Sequence, residues 1–274
     1  MQPGATTGLL AVAHRDDPQY HALEQVQLCR HYWDLYDAFA PRRDEARRRD
    51  PASPETAVYE TFAFIHNTQF ERLNEAADAA NAVRTAEGRA LLRAVHALYY
   101  SLGVARHFAA RQIALAYDLW DWPGDQPLRP YGTLWRKGGV GWPVHEKLRA
   151  LADGGDAIAE RLWEAIGPTR EPDGWFRDLN DIRNDLAHNA TAFLGRLEPG
   201  GPRYLVHVHK PVWQRVRYVR PPEEGGTLLQ PSDTYALPAV EQGEDLLRKV
   251  CAVADAVWAV LAQGIRERDR LPLV

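Results

Sequence analysis

The sequence predicts a mainly α-helical protein with a small β-hairpin insertion. Apolar residues recur at intervals of three and four through most of the 274 residues, which is the spacing of a buried helix face. Only the segment 203–220 alternates in the manner of a strand, with β-branched and aromatic side chains. No internal repeat or low-complexity tract divides the chain. We therefore expect a single antiparallel helical bundle over residues 1–274.

The first helix is predicted over about residues 18–39. Its apolar side is made of Leu23, Val26, Trp33 and Leu35. The segment 41–54 is charged and bounded by prolines, so we expect a loop there.

Two long helices are predicted next. Ser53 and Pro54 suit the N-cap and first turn of a helix that runs to about residue 84. Gly88 separates it from a third helix, which runs to about Trp120 and has a nearly continuous face of small and apolar residues. Such a face allows close packing of helices. The segment 121–142 is rich in Pro, Gly and Trp and is expected to be a long ordered loop.

The second half of the chain is predicted to contain helices on both sides of the β-insertion. The expected elements are a helix over 144–166 interrupted near Gly154 and Gly155, a helix over about 172–194 that Asp173 can cap, a β-hairpin or two short strands over about 203–220, a loop over 221–231, and a C-terminal helix over about 237–268.

The composition is that of an ordinary globular protein, with 45% hydrophobic and 26% charged residues. A formal charge of −4 gives no overall attraction to nucleic acid, so any RNA contact must come from local basic patches. Cys29 and Cys251 match no metal-binding spacing; a disulfide is possible, and a reduced, cytoplasmic setting is the expectation. The apolar stretches 9–13 and 250–262 are too short for a signal-peptide core and a membrane span respectively, so no membrane partner is expected.

The run 181–189, Asp-Ile-Arg-Asn-Asp-Leu-Ala-His-Asn, carries the most informative chemistry. On a helix, one side around it is apolar and is made of Trp175, Leu179, Ile182, Leu186 and Phe193. The far side is polar and is made of Arg177, Asp181, Asn184 and His188. An imidazole, an amide, a carboxylate and a guanidinium within two turns are groups that move protons and hold phosphate. The alternative is the solvated polar side of a surface helix.

Arg183, the polar Asn184 after it and His188 resemble the R-x(4–6)-H signature of the HEPN superfamily. About ten residues carry the resemblance closely, and the helical layout supports it more loosely. The resemblance implies a HEPN-like antiparallel helical bundle, a homodimer and, as in many members, a metal-independent ribonuclease with a toxin or antiphage-defence role. One toxin branch, which is paired with a nucleotidyltransferase antitoxin, has a tyrosine two positions after the histidine. This chain has Ala190 there, which counts against that branch.

Arg183 and His188 are separated by about 140° on an ideal helix and do not share a face. Either the long arginine side chain swings towards the histidine, or the site is composite. In a composite site, Arg183 of one subunit approaches His188 of the other across a two-fold axis. The HEPN resemblance implies the composite arrangement.

RNA cleavage at such a site needs few groups. The ribose 2′-hydroxyl attacks the adjacent phosphorus and leaves a 2′,3′-cyclic phosphate and a free 5′-hydroxyl. A histidine that titrates near pH 6.5 can act as base or acid. A guanidinium stabilises the extra negative charge on phosphorus. We expect Arg183 and His188 to be catalytic, with Asn184 holding a phosphate oxygen or orienting the imidazole.

A second set of residues suits RNA binding. The segment 203–220 contains five basic residues and no acidic one, interleaved with Tyr204, Trp213 and Tyr218. Basic groups for phosphates and aromatic faces for bases suit single-stranded nucleic acid. The expected RNA contacts are Arg177, Lys210, Arg215 and Arg217. The alternative is an amphipathic hairpin whose aromatic residues belong to the core.

The competing hypothesis is a non-catalytic HEPN-like module that binds RNA or nucleotide, or that dimerises to bind a partner. No nucleotide-binding fingerprint is present, and no cofactor or metal is expected. His207 and His209 share a strand face without a recognisable third ligand. His96 and His107 share a helix face and are expected to be interior or interface residues. An antitoxin or another regulatory partner remains possible beside the RNA substrate.

Overall fold

The structure is a computed structural model, and it is mainly helical, as the sequence predicts. It describes residues 9–12, 25–119, 144–169, 175–184, 186, 191–195, 205–209 and 234–273. The helices are α1 (Tyr32–Arg49), α2 (Pro54–Thr85), α3 (Gly88–Ala116), α4 (Val144–Asp153), α5 (Ala157–Ala165), α6 (Trp175–Asn184) and α7 (Ala239–Arg268). The strands are β1 (Leu9–Ala11), β2 (Gln25–Gln27), β3 (Thr191–Gly195), β4 (Leu205–His209) and β5 (Thr234–Pro238).

The first helix ends later than the sequence predicts, and residues 25–31 of the predicted range are not helical, while residues 18–24, with Leu23, lie outside the described residues. Val26, expected on its apolar side, lies in β2, which pairs in parallel with β1. The expected loop over 41–54 is also wrong for residues 41–49, because α1 continues through Pro41 to Arg49. Its charged residues form ion pairs along the helix, including Arg49 with Glu45 at 3.2 Å, and Ala46 is buried. A run of charges therefore belongs to a helix surface here.

The predictions for α2 and α3 are confirmed. The Ser53 hydroxyl accepts a hydrogen bond from the Thr56 amide at 3.1 Å, and Pro54 occupies the first turn of α2. Two residues join α2 to α3, and the two helices pack along their lengths. The third helix ends at Ala116, four residues before the predicted end, and Asp118 then adopts a positive φ of 48°.

A buried polar network lies where α1, α2, α3 and α7 meet. The Trp258 indole donates to the side-chain oxygens of Gln69 and Gln112 at 3.0 and 3.1 Å. The Gln112 amide nitrogen donates to Nδ1 of His66 at 3.0 Å, so Nε2 carries the proton and donates to the Tyr32 carbonyl at 3.1 Å. Burial lowers the pKa of His66 to about 3. The network therefore holds a neutral imidazole and provides hydrogen-bond partners for the buried side chains of His66, Gln69, Gln112 and Trp258.

Helices α4 and α5 follow α3 in the described part of the chain and pack against each other. The predicted break at Gly154 and Gly155 separates α4 from α5, and α5 packs against α7.

Cys29 and Cys251 are free and buried, and the Cys29 thiol donates to the Cys251 carbonyl at 3.7 Å. Apolar side chains of the described helices form one continuous core.

The predicted motif helix is shorter than expected. Helix α6 begins at Trp175 and ends at Asn184, and residues 191–195 form β3. Phe193, expected on the apolar side of the helix, lies in β3 opposite His207 of β4. Leu179, however, is buried in the helix interface as expected. The pairing of β3 with β4 is a contact between distant residues, which helical periodicity cannot reveal.

The three strands β3, β4 and β5 form an antiparallel sheet with β4 in the centre. Strand β4 lies within the segment 203–220, for which strands were expected. Residues 210–220 lie outside the described residues, so the hairpin within this segment stays a prediction. The expected loops over 121–142 and 221–231 and the expected cap Asp173 also lie outside them. The C-terminal helix prediction is confirmed by α7.

Candidate functional site

Arg183 in the last turn of α6 lies against α3. A Cβ atom placed on Gly103 would lie 2.8 Å from Cγ of Arg183 and 3.3 Å from its Cδ. The arginine stem therefore crosses α3 at the one position in this contact where no side chain intervenes. The apolar residues Leu179 and Ile182 are buried beside it and attach α6 to the core. The Arg183 side chain is half-buried rather than extended into solvent.

The cleft between α3 and α6 is open and has a volume of about 290 Å³. Its lining residues come from both helices and from the residues just after α6: His96, Ala97, Tyr100, Arg183 and Leu186. The Tyr100 side chain is 52% exposed, although it is large and mostly apolar. The cleft is thus lined by an arginine, a histidine and an accessible tyrosine, and the surface of its walls is mainly apolar.

On α3, the residues around this contact form one stripe along a single side of the helix. His96, Tyr100, Gly103, His107 and Arg111 follow one another at intervals of three and four and fall within about 80° on the helix. The third helix therefore presents two histidines, an aromatic ring and an arginine on the side that Arg183 crosses.

Positive charge surrounds His107. Burial, together with the nearby guanidinium groups of Arg106, Arg183 and Arg111, lowers the pKa of His107 to about 4. Burial also lowers the pKa of His96. Both imidazoles are therefore neutral at pH 7 and can accept a hydrogen bond or a proton. The arginines give this side of α3 a positive potential that suits an anionic ligand.

Aromatic rings hold two of these arginines. The Arg106 guanidinium lies 4.9 Å from the centre of the Phe176 ring of α6, and its side chain is buried. The Arg111 guanidinium lies 5.0 Å from the centre of the Phe108 ring. Stacking on a ring favours a fixed orientation of the guanidinium plane. The charge of Arg106 is thus positioned by the contact between α3 and α6, whereas that of Arg111 is positioned within α3.

The structure places only part of the predicted site. Arg183 lies in the cleft, whereas Asn184 and Arg177 are located by their helix backbone alone. His188, Lys210, Arg215 and Arg217 lie outside the described residues, so their expected roles stay predictions.

Sequence reasoning did not identify Tyr100 as a site residue. It noted the shared face of His96 and His107 but assigned them to the interior or to an interface. The available signal was Gly103, a residue of low helix propensity in mid-helix between the two histidines. Its partner Arg183 is 80 positions away in the sequence and could not be assigned to it from the pattern.

Within the described parts of the chain, no group of three or more His, Cys, Asp or Glu side chains is arranged to hold a metal ion. The described helices include none that combines the length and apolar character needed to span a bilayer. Comparison with protein-family models, curated proteins and solved structures finds no match to this chain.

Proposed function

We propose that this protein is a metal-independent endoribonuclease of the HEPN type, with Arg183, His188 and Asn184 as its catalytic residues. The observation that supports the proposal is the position of Arg183, which crosses α3 at Gly103 and lines an open cleft. A guanidinium held at the edge of a cleft with positive surroundings is placed to bind a phosphodiester. The mainly helical fold agrees with the resemblance of the 183–188 segment.

The proposed reaction is a transesterification within the RNA chain. The imidazole of one His188 takes the proton of the ribose 2′-hydroxyl, whose oxygen forms a bond to the adjacent phosphorus. The bond from phosphorus to the 5′-oxygen breaks, and that oxygen receives a proton. Arg183 stabilises the charge that develops on the phosphoryl oxygens. In a homodimer, two copies of His188 are available, so one can accept a proton while the other donates one.

The proposed biological role rests on the resemblance to the HEPN superfamily and not on the geometry of the cleft. A toxin or antiphage-defence effector would act on cellular or viral RNA in the cytoplasm and would need control by an antitoxin or another regulatory partner. Arg177, Lys210, Arg215 and Arg217 are proposed to hold the RNA backbone outside the cleavage site.

The first prediction concerns cleavage. Purified protein incubated with end-labelled RNA in EDTA should release fragments that end in 2′,3′-cyclic phosphate. We expect His188→Ala and Arg183→Ala each to lower the cleavage rate by at least about 100-fold, the size typical for loss of a general acid–base or charge-stabilising group. Arg89→Ala is a matched control, because Arg89 is an exposed arginine in the first turn of α3.

Equal cleavage by the wild type and both site variants would contradict the proposal, as would activity that appears only after a divalent ion is added. Circular dichroism of each variant checks that the helices are retained.

A non-catalytic RNA- or nucleotide-binding module is the second candidate, and the composition of the cleft favours it. Ala97, Tyr100 and Leu186 give the walls apolar area suited to a base, while burial lowers the pKa of His96 and so weakens it as a base. Tight RNA binding by wild type that leaves the RNA intact would select this candidate. Sedimentation or light scattering would show whether the protein forms a dimer, as the alternative of a module that dimerises to bind a partner requires.

A further inference from the structure

We infer that Tyr100 is the stacking platform for an unpaired base of single-stranded RNA, and that the cleft between α3 and α6 is the subsite for that nucleotide. This subsite belongs to the RNA-acting site proposed above and rests on that proposed function. The ring of Tyr100 takes the base, and Arg183 on the opposite wall takes the phosphate that follows it.

The exposure of Tyr100 is the first observation. Among the described residues, the large hydrophobic side chains that are exposed are Phe64, at 66%, and Tyr100, at 52%. Phe64 belongs to α2 and does not line the cleft, whereas Tyr100 does. An accessible ring inside a cleft offers a π-face to a planar ligand, and every nucleobase has such a face.

The second observation is the size and chemistry of the cleft. Its volume of about 290 Å³ is close to the lower limit of small-ligand pockets, which is about 300 Å³. Ala97 and Leu186 supply apolar walls, and His96 supplies a neutral imidazole that can donate to or accept from a base edge. The cleft is therefore suited to one nucleotide rather than to a folded RNA helix.

The third observation is the position of the basic residues relative to Tyr100. From Tyr100 the stripe on α3 continues through Gly103 and His107 to Arg111, a distance of about 16 Å at 1.5 Å per residue. Arg183 crosses the middle of this stripe, and Arg106 adds its charge near His107. Basic groups therefore lie next to the cleft, on the side where the phosphate that follows the stacked base would be bound.

Binding can be measured without cleavage in the His188→Ala protein. The probe is a fluorescein-labelled, unstructured RNA of twelve nucleotides, and the readout is fluorescence anisotropy at several salt concentrations. We expect Tyr100→Ala to weaken binding by at least about fivefold, since loss of one base–aromatic stack has at least this effect. Tyr100→Phe retains the ring and should bind within about twofold of the parent. The matched control, Phe64→Ala, removes an exposed ring outside the cleft and should bind like the parent.

The salt dependence of RNA binding distinguishes the phosphate contact of Arg183 from the base contact of Tyr100. Removal of Arg183 should reduce the slope of log affinity against log salt by about 0.7, as expected for one lost phosphate contact on a single strand. Removal of the Tyr100 ring should leave this slope unchanged. A second substitution, Ala97→Glu, keeps the ring but places a carboxylate in the cleft, and it should weaken binding as well.

Each outcome bears on one of the two proposals. If Tyr100→Ala and Ala97→Glu both bind RNA as tightly as Phe64→Ala does, the subsite is wrong, even if cleavage depends on His188. Failure of the parent protein to bind the RNA at all also overturns it. If wild-type protein binds RNA through Tyr100 but never cleaves it, the nuclease proposal fails and the subsite stands. Thermal unfolding of each variant shows that lost binding is not lost folding.

Discussion

At Gly103, α3 lacks a side chain where the stem of Arg183 crosses it. A glycine in a helix interior costs about 1 kcal/mol relative to alanine, so this position lowers the stability of α3. The reason for a glycine at this position is steric, because a Cβ atom on residue 103 would lie 2.8 Å from Cγ of Arg183. The near part of the arginine stem, rather than its mobile end, occupies the space, so the side chain cannot simply turn away.

Gly103→Ala is therefore expected to act through Arg183. In the native background the new methyl group should displace the arginine and reduce RNA cleavage. In an Arg183→Ala background the clash is absent, and the same change should stabilise the protein by about 0.5–1 kcal/mol through helix propensity. Urea unfolding of the two single variants and the double variant measures this coupling. Purely additive free energies of unfolding would show that the two residues do not constrain each other.

The elements that the sequence predicts well are those fixed by local patterns. Helices α2, α3 and α7 have long apolar periodicity, and Ser53 with Pro54 marks the start of α2. The start of α1 could not be predicted, because its capping group comes from α7. Asp255 accepts hydrogen bonds from the backbone amides of Arg30 and His31 at 2.6 and 2.8 Å, and its other oxygen lies 2.9 Å from Nδ1 of His31. These partners are more than 220 residues apart.

The position of strand β1 also depends on a side chain that is distant in the sequence. The Asn81 side chain of α2 accepts from the Leu10 amide and donates to the Leu10 carbonyl, both at 3.0 Å, as a neighbouring strand would. The sequence near β1 and β2 contains no sign of this partner. Long-range polar contacts, rather than local propensity, explain why the expected helix over 18–39 was wrong for residues 25–31.

Asp255→Ala should uncap α1 and lower the free energy of unfolding by about 1–2 kcal/mol, because amides at a helix start lose their acceptor and a favourable negative charge. Asp255→Asn keeps one acceptor oxygen and should cost less. Asp245→Ala is the matched control on the same helix, since Asp245 is exposed and its partner among the described residues is Lys249 at 2.6 Å. Urea denaturation measures all three. An equal effect of Asp245→Ala and Asp255→Ala would contradict the capping role.

For the whole molecule, the mainly helical class was predictable, whereas the site was predictable only in part. Arg183 was identified from its sequence neighbours, and the structure places it in the lining of a cleft, while its catalytic role stays a prediction. Tyr100 was missed because a tyrosine within a small and apolar helix face has the pattern of a core residue. Its exposure depends on where α6 crosses α3, which is a property of the assembled bundle.

The network at the centre of the bundle makes stability depend on pH. The folded-state pKa of His66, about 3, lies below the ordinary value of 6.5. As the pH falls below 6.5 the unfolded chain binds a proton that the folded chain cannot, so stability falls. One such histidine contributes about 1.4 kcal/mol per pH unit in this window, and full stability is present above it. His107, with a folded-state pKa of about 4, acts in the same direction.

Urea unfolding at pH 6 and pH 5 tests this linkage, because most carboxylates titrate at lower pH. His66→Gln retains a donor and an acceptor without a titrating ring. It should be less stable than the wild type at pH 7 but should lose about 1.2 kcal/mol less between pH 6 and pH 5. Identical pH dependence of the two proteins would rule out His66 as the source.

The chain's two cysteines have a practical consequence. Both thiols are buried, and the contact with Cys251 together with burial raises the pKa of Cys29. Thiolates are the reactive species, so maleimide dyes should not modify the native protein at either position. A single cysteine introduced on the surface could then carry a fluorophore by itself, which allows distances within an assembly to be followed without removing native residues.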